Sequence, residues 1–214
     1  MAGDRPTELA AEVARTPLIA MLTEPDSPAV PAVTEELGRS GIRAVEITLT
    51  SPGALDAVRR SVATGAALVG AGTVRDRETA RRAVDAGAHY LLTPGVLPDV
   101  LDEARALGVP VVCGAFTTTE VMEAWRLGAA LVKLFPARLG GPAYLASLTM
   151  AFGDIPLVPT GGVTADGLTD WFAAGAHAVA LGRPLVGDAL HGGDLSGVRH
   201  RADALLTCVR SVRT

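Results

Sequence analysis

Short apolar runs and amphipathic stretches alternate along the whole chain, and the pattern restarts about every 20 to 25 residues, usually with a glycine between units. The apolar runs cover residues 17–22, 44–49, 67–74, 90–93, 109–115, 130–135, 156–159 and 178–181. They are near-continuous rather than alternating, as strands buried on both faces of a parallel sheet should be. The intervening stretches read as helices: in residues 99–107, Val100, Leu101, Ala104 and Leu107 share one face. Gly41, Gly87, Gly108, Gly128, Gly153 and Gly175 stand where a left-handed helix C-cap is expected. Residues 7–15 predict an extra leading helix and residues 194–212 the last one. Eight strands alternating with helices over about 200 residues predict a (β/α)8 TIM barrel with an extra N-terminal helix. One domain spanning 1–214 accommodates it. The rival is an open doubly wound sheet, but no Gly-x-Gly-x-x-Gly turn follows the first strand to support a dinucleotide-binding version.

Aromatic residues are 4% of the chain, so the core must be built mainly from Val, Leu and Ala. A net charge of −4 with no basic cluster argues against nucleic acid as a partner. The first residues lack an apolar signal region and no run of about 18 apolar residues occurs, so no membrane partner and a cytoplasmic location are expected. Cys113 and Cys208 have no metal-type spacing, and no His/Asp/Glu cluster does either, so no metal is expected. Cys113 is read as core filler. His89 and His177 precede strands, on the face opposite the chemistry, and Trp125 and Trp171 are expected to pack onto the barrel.

In such a barrel the chemistry belongs at the C-terminal strand ends. The sixth strand carries Lys133, the single lysine of a chain with eighteen arginines. Arginine replaces lysine where only a positive charge is needed, but guanidinium stays protonated and cannot act as an amine nucleophile. A lysine kept in an apolar strand, where burial disfavours the charged form, points to Schiff-base chemistry with a carbonyl substrate. Glu46, a carboxylate in the apolar second strand, is the candidate acid/base, and its alternative role is a structural partner of an arginine or of Lys133. Thr160-Gly161-Gly162 is read as opening the seventh helix, and Gly182-Arg183 follows the eighth strand. Loops in those two positions often bind phosphate through backbone N–H groups and a helix dipole. Thr73 and the Pro94-Gly95 pair occupy strand ends where substrate contacts are expected.

Glu-Ile-Thr-Leu (46–49), Gly-Ala-Gly-Thr-Val (70–74), Thr-Pro-Gly (93–95), Val-Lys-Leu-Phe-Pro-Ala (132–137) and Pro-Thr-Gly-Gly-Val (159–163) occur in an order and spacing that resemble the KDPG/KHG aldolases. These class I aldolases act on 2-keto-3-deoxy-6-phosphogluconate and 4-hydroxy-2-oxoglutarate. The resemblance covers roughly residues 17 to 190. It implies a homotrimer of such barrels, a keto acid substrate that can be phosphorylated, and no cofactor. It makes Lys133 the Schiff-base lysine and Glu46 the general acid/base, working through a water. Thr73 would contact the pyruvyl part, Thr160 the rest of the substrate, and the Pro94 backbone would shape the pocket. Gly161, Gly162, Gly182 and Arg183 would hold the phosphate.

Three positions depart from that family's pattern. Thr50 stands where an arginine usually binds the pyruvate carboxylate, Leu22-Thr23 where Leu-Arg is common, and Arg183 where several members have serine. Arg138 and Arg183 are the candidates to replace the missing cations, and Arg138 can also be a solvated loop charge. The stretch Leu49-Thr-Ser-Pro52 leans toward the 2-keto-3-deoxy-6-phosphogalactonate aldolases, which normally keep the strand-one arginine. The expected activity is pyruvate-releasing class I aldol cleavage. The alternatives are the galactonate-type reaction, a phosphate-binding isomerase or synthase with no imine step, and a relative that binds keto acids without turnover.

Overall fold

The computed structural model describes residues 8–24 and 26–212. Within them eight parallel strands run β1 (Leu18–Leu22), β2 (Ala44–Thr48), β3 (Leu68–Gly72), β4 (Tyr90–Leu92), β5 (Val111–Ala115), β6 (Leu131–Leu134), β7 (Leu157–Pro159) and β8 (Val179–Leu181). Each pairs with its neighbour in sequence, and β1 also pairs with β8. A single parallel bridge between Thr160 and Ala180 spans the seam between β7 and β8. This is the (β/α)8 barrel. The helices are α1 (Glu8–Arg15), α2 (Val30–Arg39), α3 (Ala54–Ala63), α4 (Arg77–Asp85), α5 (Pro98–Leu107), α6 (Thr118–Arg126), α7 (Gly141–Ala151), α8 (Leu168–Ala173), α9 (Arg183–Val186) and α10 (Leu195–Val212). No described helix is long and apolar enough to cross a membrane.

Two apolar clusters follow from strands buried on both faces. The larger lies between the strands and the helices, where Val45, Ile47, Val69, Leu91 and Val132 meet helix residues such as Val58, Ala80 and Ala104. The smaller fills the inside of the barrel with Ile19, Leu68, Tyr90, Leu92, Val112, Leu131 and Val158, and Leu9 and Val13 of α1 close its floor. The leading helix is therefore a plug: its apolar face completes the interior at the N-terminal end and leaves the other end for chemistry.

Several expectations need correction. Gly153 is not left-handed, although the other five proposed capping glycines are, because α7 ends one residue earlier on Phe152, with φ −136°. Thr160-Gly161-Gly162 does not open a helix: α8 starts at Leu168, and the two glycines make a turn with φ of 86° and 87°. Trp171 packs as expected, but Trp125 is 38% exposed because its turn of α6 faces away from the strands. The last helix starts at Leu195, and α9 was not anticipated. Thr7, and the N-terminal segment taken to lack a signal, fall outside the described residues.

Candidate active site

Period-two geometry on β2 turns Glu46 and Thr48 to the inner face while Val45 and Ile47 face the helices. The same alternation on β6 turns Lys133 inward between outward-facing Val132 and Leu134. The two side chains meet across the barrel, with Lys133 Nζ 3.7 Å from Glu46 Oε1 and side chains 6% and 1% exposed. Both alternatives for Glu46, catalytic base and partner of Lys133, thus converge on one geometry. The other carboxylate oxygen, Oε2, is buried without a protein hydrogen-bond partner. Room for the carboxylate comes from Gly72 on β3, where a Cβ would lie 2.7 Å from Glu46 Cγ and Cδ. Gly114, the register partner of Lys133, likewise admits the Pro94 backbone, whose carbonyl oxygen would lie 2.5 Å from an added Cβ.

The strand ends around this pair are held by hydrogen bonds. Thr93 Oγ1 accepts from Gly114 N at 3.2 Å and donates to Gly95 O at 2.8 Å, fixing the Pro94 turn. Thr73 has φ 61°, an outlier for a β-branched residue and a local strain of about 1–3 kcal/mol that surrounding structure must hold. Thr160 is fully buried and its hydroxyl donates to Val158 O at 3.1 Å. Ala137 N and Arg138 N donate to Thr160 O and Gly161 O at 2.8 and 3.0 Å, tying the loop after β6 to the glycine turn after β7. The Arg138 side chain lies across that turn, its Cβ 2.5 Å from where a Cβ on Gly162 would be.

Thr50 and Arg183 are exposed, and Gly182 and Arg183 begin the four-residue α9. Among the described residues, no ion pair joins Arg138 or Arg183 to a carboxylate, so both guanidinium groups are available to an anion. Cys113 faces outward from β5, and burial raises its thiol above the ordinary value, as suits a core residue. His89 Nδ1 accepts from Val69 N at 3.1 Å at the foot of β4, away from the lysine.

A family model described as KDPG and KHG aldolase matches residues 9–200. The chain belongs to that aldolase family. Its curated relatives include the 2-dehydro-3-deoxy-phosphogluconate aldolase of Pseudomonas aeruginosa, 40% identical over 143 residues. That match takes in 66% of this chain and 65% of the Pseudomonas enzyme, just under two thirds of its length. The probable 2-dehydro-3-deoxy-6-phosphogalactonate aldolase of Rhizobium meliloti is 33% identical over 199 residues, 92% of each chain. Among solved structures, the KDPG aldolase of Legionella pneumophila with pyruvate captured as a covalent carbinolamine superposes with TM-score 0.82. It is 27% identical, over 94% of this chain and 98% of that one. These relatives carry aldolase names, and aldolases are lyases.

Two aromatic residues near the Lys133–Glu46 pair were not singled out from the sequence. The Phe135 ring centroid lies 5.2 Å from Lys133 Nζ, and the ring packs over Gly161, 3.1 Å from where a Cβ would be. Its position two residues after the lysine, on an otherwise apolar strand end, was the available signal. Tyr90 was missed because an aromatic residue in a short apolar run reads as core.

Proposed function

We propose that the protein is a class I aldolase that cleaves a 2-keto-3-deoxy acid to pyruvate and an aldehyde. The observation that carries this is the buried Lys133–Glu46 pair, 3.7 Å apart at the open end of the barrel. The Lys133 amine adds to the 2-keto carbon, and loss of water gives an iminium that draws electrons from the C3–C4 bond. Glu46 accepts the C4 hydroxyl proton as that bond breaks, and the aldehyde leaves. Glu46 then returns a proton to C3 of the enamine, and hydrolysis frees pyruvate and the amine. The iminium is itself the electron sink, so the reaction needs no cofactor. Oε1 faces the amine while Oε2 is free of protein partners, which suits a carboxylate that must both order the lysine and move a proton.

Thr73 and the Pro94 backbone border the pyruvyl end, and Thr160 the leaving aldehyde. The turn of Gly161 and Gly162, with Gly182 and Arg183, takes the distal phosphate. Arg138, lying over Gly162, supplies charge that the family pattern places elsewhere, and Thr50 marks where that charge is missing. The relatives' names span both gluconate and galactonate substrates, and the near-full-length match to the Rhizobium protein keeps the galactonate-type acid as the second reading. We further read residues 1–214 as one domain of a cytoplasmic homotrimer. Exposed Met122, Trp125, Leu139 and Met150 are apolar side chains that a subunit contact would cover.

Borohydride trapping with pyruvate, followed by peptide mapping, tests the reading directly. With one lysine in the chain, a reduced adduct can form only on Lys133 or the N-terminal amine. Reduction is expected to label Lys133. An unlabelled Lys133 after exposure to pyruvate and larger 2-keto acids rules out the imine and favours a phosphate-binding barrel without it.

A further inference from the structure

The inner wall of the barrel holds one ionisable side chain that the proposed chemistry leaves idle. Tyr90, on β4, is fully buried, and Gly70 of β3 pairs in register with Tyr90 on one side and with Glu46 on the other. The three positions form one row across the inner wall. The Tyr90 ring occupies the space above Gly70, where a Cβ would lie 2.7 Å from Cδ2, and the Glu46 carboxylate occupies the equivalent space above Gly72. Two glycines on one strand thus make adjoining slots for a phenol and a carboxylate.

Neither Tyr90 OH nor Glu46 Oε2 has a protein hydrogen-bond partner, and Thr48 Oγ1, two residues along β2, is in the same condition. A phenylalanine would fill the Gly70 slot without burying a hydroxyl. Buried polar atoms are disfavoured unless satisfied, and ordered water satisfies them where several polar groups converge. Burial raises the Tyr90 phenol well above its ordinary value, and the negative charge of Glu46 pushes the same way, so the hydroxyl stays protonated and can only donate toward a carboxylate. The other charge facing Glu46 is Lys133 of β6, on Oε1. The neighbouring inner-wall residues Met21, Leu92, Gly114 and Val158 carry none.

We propose that the Tyr90 hydroxyl and Glu46 Oε2 are joined by one buried water, and that Tyr90 is a positioning residue which holds the carboxylate toward the carbon activated by Lys133. The catalytic half of this proposal rests on the aldolase reading; the hydrogen-bonded coupling does not.

The chain has two tyrosines, so 13Cζ-labelled tyrosine gives two resonances. Tyr144 donates to Phe116 O at 2.7 Å and serves as the internal control. In Glu46→Gln the Tyr90 resonance should move and the Tyr144 resonance should not. In Tyr90→Phe, exchange of the pyruvate methyl protons should slow about tenfold. Borohydride labelling of Lys133 and the thermal midpoint should hold. A Tyr90 resonance indifferent to Glu46→Gln overturns the coupling. Wild-type exchange in Tyr90→Phe overturns the positioning role. If the Tyr90 resonance responds while the wild-type protein forms no pyruvate adduct, the coupling stands and the aldolase reading falls.

Discussion

Replacing Lys133 with methionine should destabilise the protein far more than its single salt bridge would on a surface, and replacing Glu46 as well should undo most of that loss. The two charges are 3.7 Å apart with side chains 6% and 1% exposed. At an effective dielectric constant of about 20 their attraction is about 4.5 kcal/mol. That gain is largely offset in the native protein by the cost of removing both charges from water. Lys133→Met removes the attraction but leaves the Glu46 carboxylate in place, so a loss of about 3–5 kcal/mol is expected. For a domain of this size that is roughly 6–20 °C in thermal midpoint. Glu46→Met should cost a comparable amount by stranding the ammonium. The double variant carries neither charge and places two flexible apolar side chains against the inner-wall cluster, so it should lie within about 1 kcal/mol of wild type. Urea unfolding followed by tryptophan fluorescence, with Trp171 buried against the barrel, reports all four stabilities. All three variants should be inactive, which separates the pair's chemical role from its structural one. If the double variant is as unstable as the two singles summed, or each single costs under about 1 kcal/mol, the side chains do not form a coupled buried ion pair.

Gly72→Ala should form the pyruvate adduct on Lys133 but exchange the methyl protons at least about a hundredfold more slowly, because the new Cβ would lie where Glu46 Cγ and Cδ now sit, 2.7 Å away; adduct loss together with exchange would place the defect at the lysine instead. Glu120, the carboxylate of the capping box on α6, is held below the ordinary value of 4.5 by the Thr117 and Phe116 backbone N–H groups. A depressed folded-state value gives stability that is complete above 4.5 and lost as pH falls through the folded-state value. Glu120 is exposed and Gln can still close the capping box, so Glu120→Gln should cost only about 0.3–0.5 kcal/mol at neutral pH and nothing in acid, read from thermal midpoints across the pH range; a penalty that persists undiminished in acid would mean the cap does not act through its charge.

The barrel was legible because each strand is buried on both faces and so reads as an unbroken apolar run. The observed strands fall inside all eight predicted runs. Lys133 and Glu46 stood out for the same reason, as charges in apolar runs, and the structure brings the two side chains together. The errors lie where packing rather than pattern decides. Trp125 is as apolar as Trp171, and only the rotation of α6 exposes it. The Gly161-Gly162 turn resembles a helix start, yet the chain takes five further residues before α8 begins. Gly70, Gly72 and Gly114 drew no separate reading from the sequence, but the structure uses them as slots for Tyr90, Glu46 and the Pro94 backbone. A glycine's meaning inside a barrel depends on what crosses from the neighbouring strand, which no local pattern contains.

The division of labour along the inner wall explains how a small barrel can carry a charged pair at all. Toward the floor, Leu9 and Val13 of α1 meet Ile19, Leu68, Leu131 and Val158 in an apolar plug that supplies burial without polar cost. One register step toward the mouth, Glu46 and Lys133 replace apolar residues, and Thr160 follows on β7. The charged groups are thus fixed to strands, while Gly161, Gly162 and Arg138 sit on loops, which tolerate change. Such an arrangement lets the loops vary without disturbing the Lys133–Glu46 pair. The positions where this chain departs from the motif pattern, Thr23, Thr50 and Arg183, all stand beyond the ends of their strands.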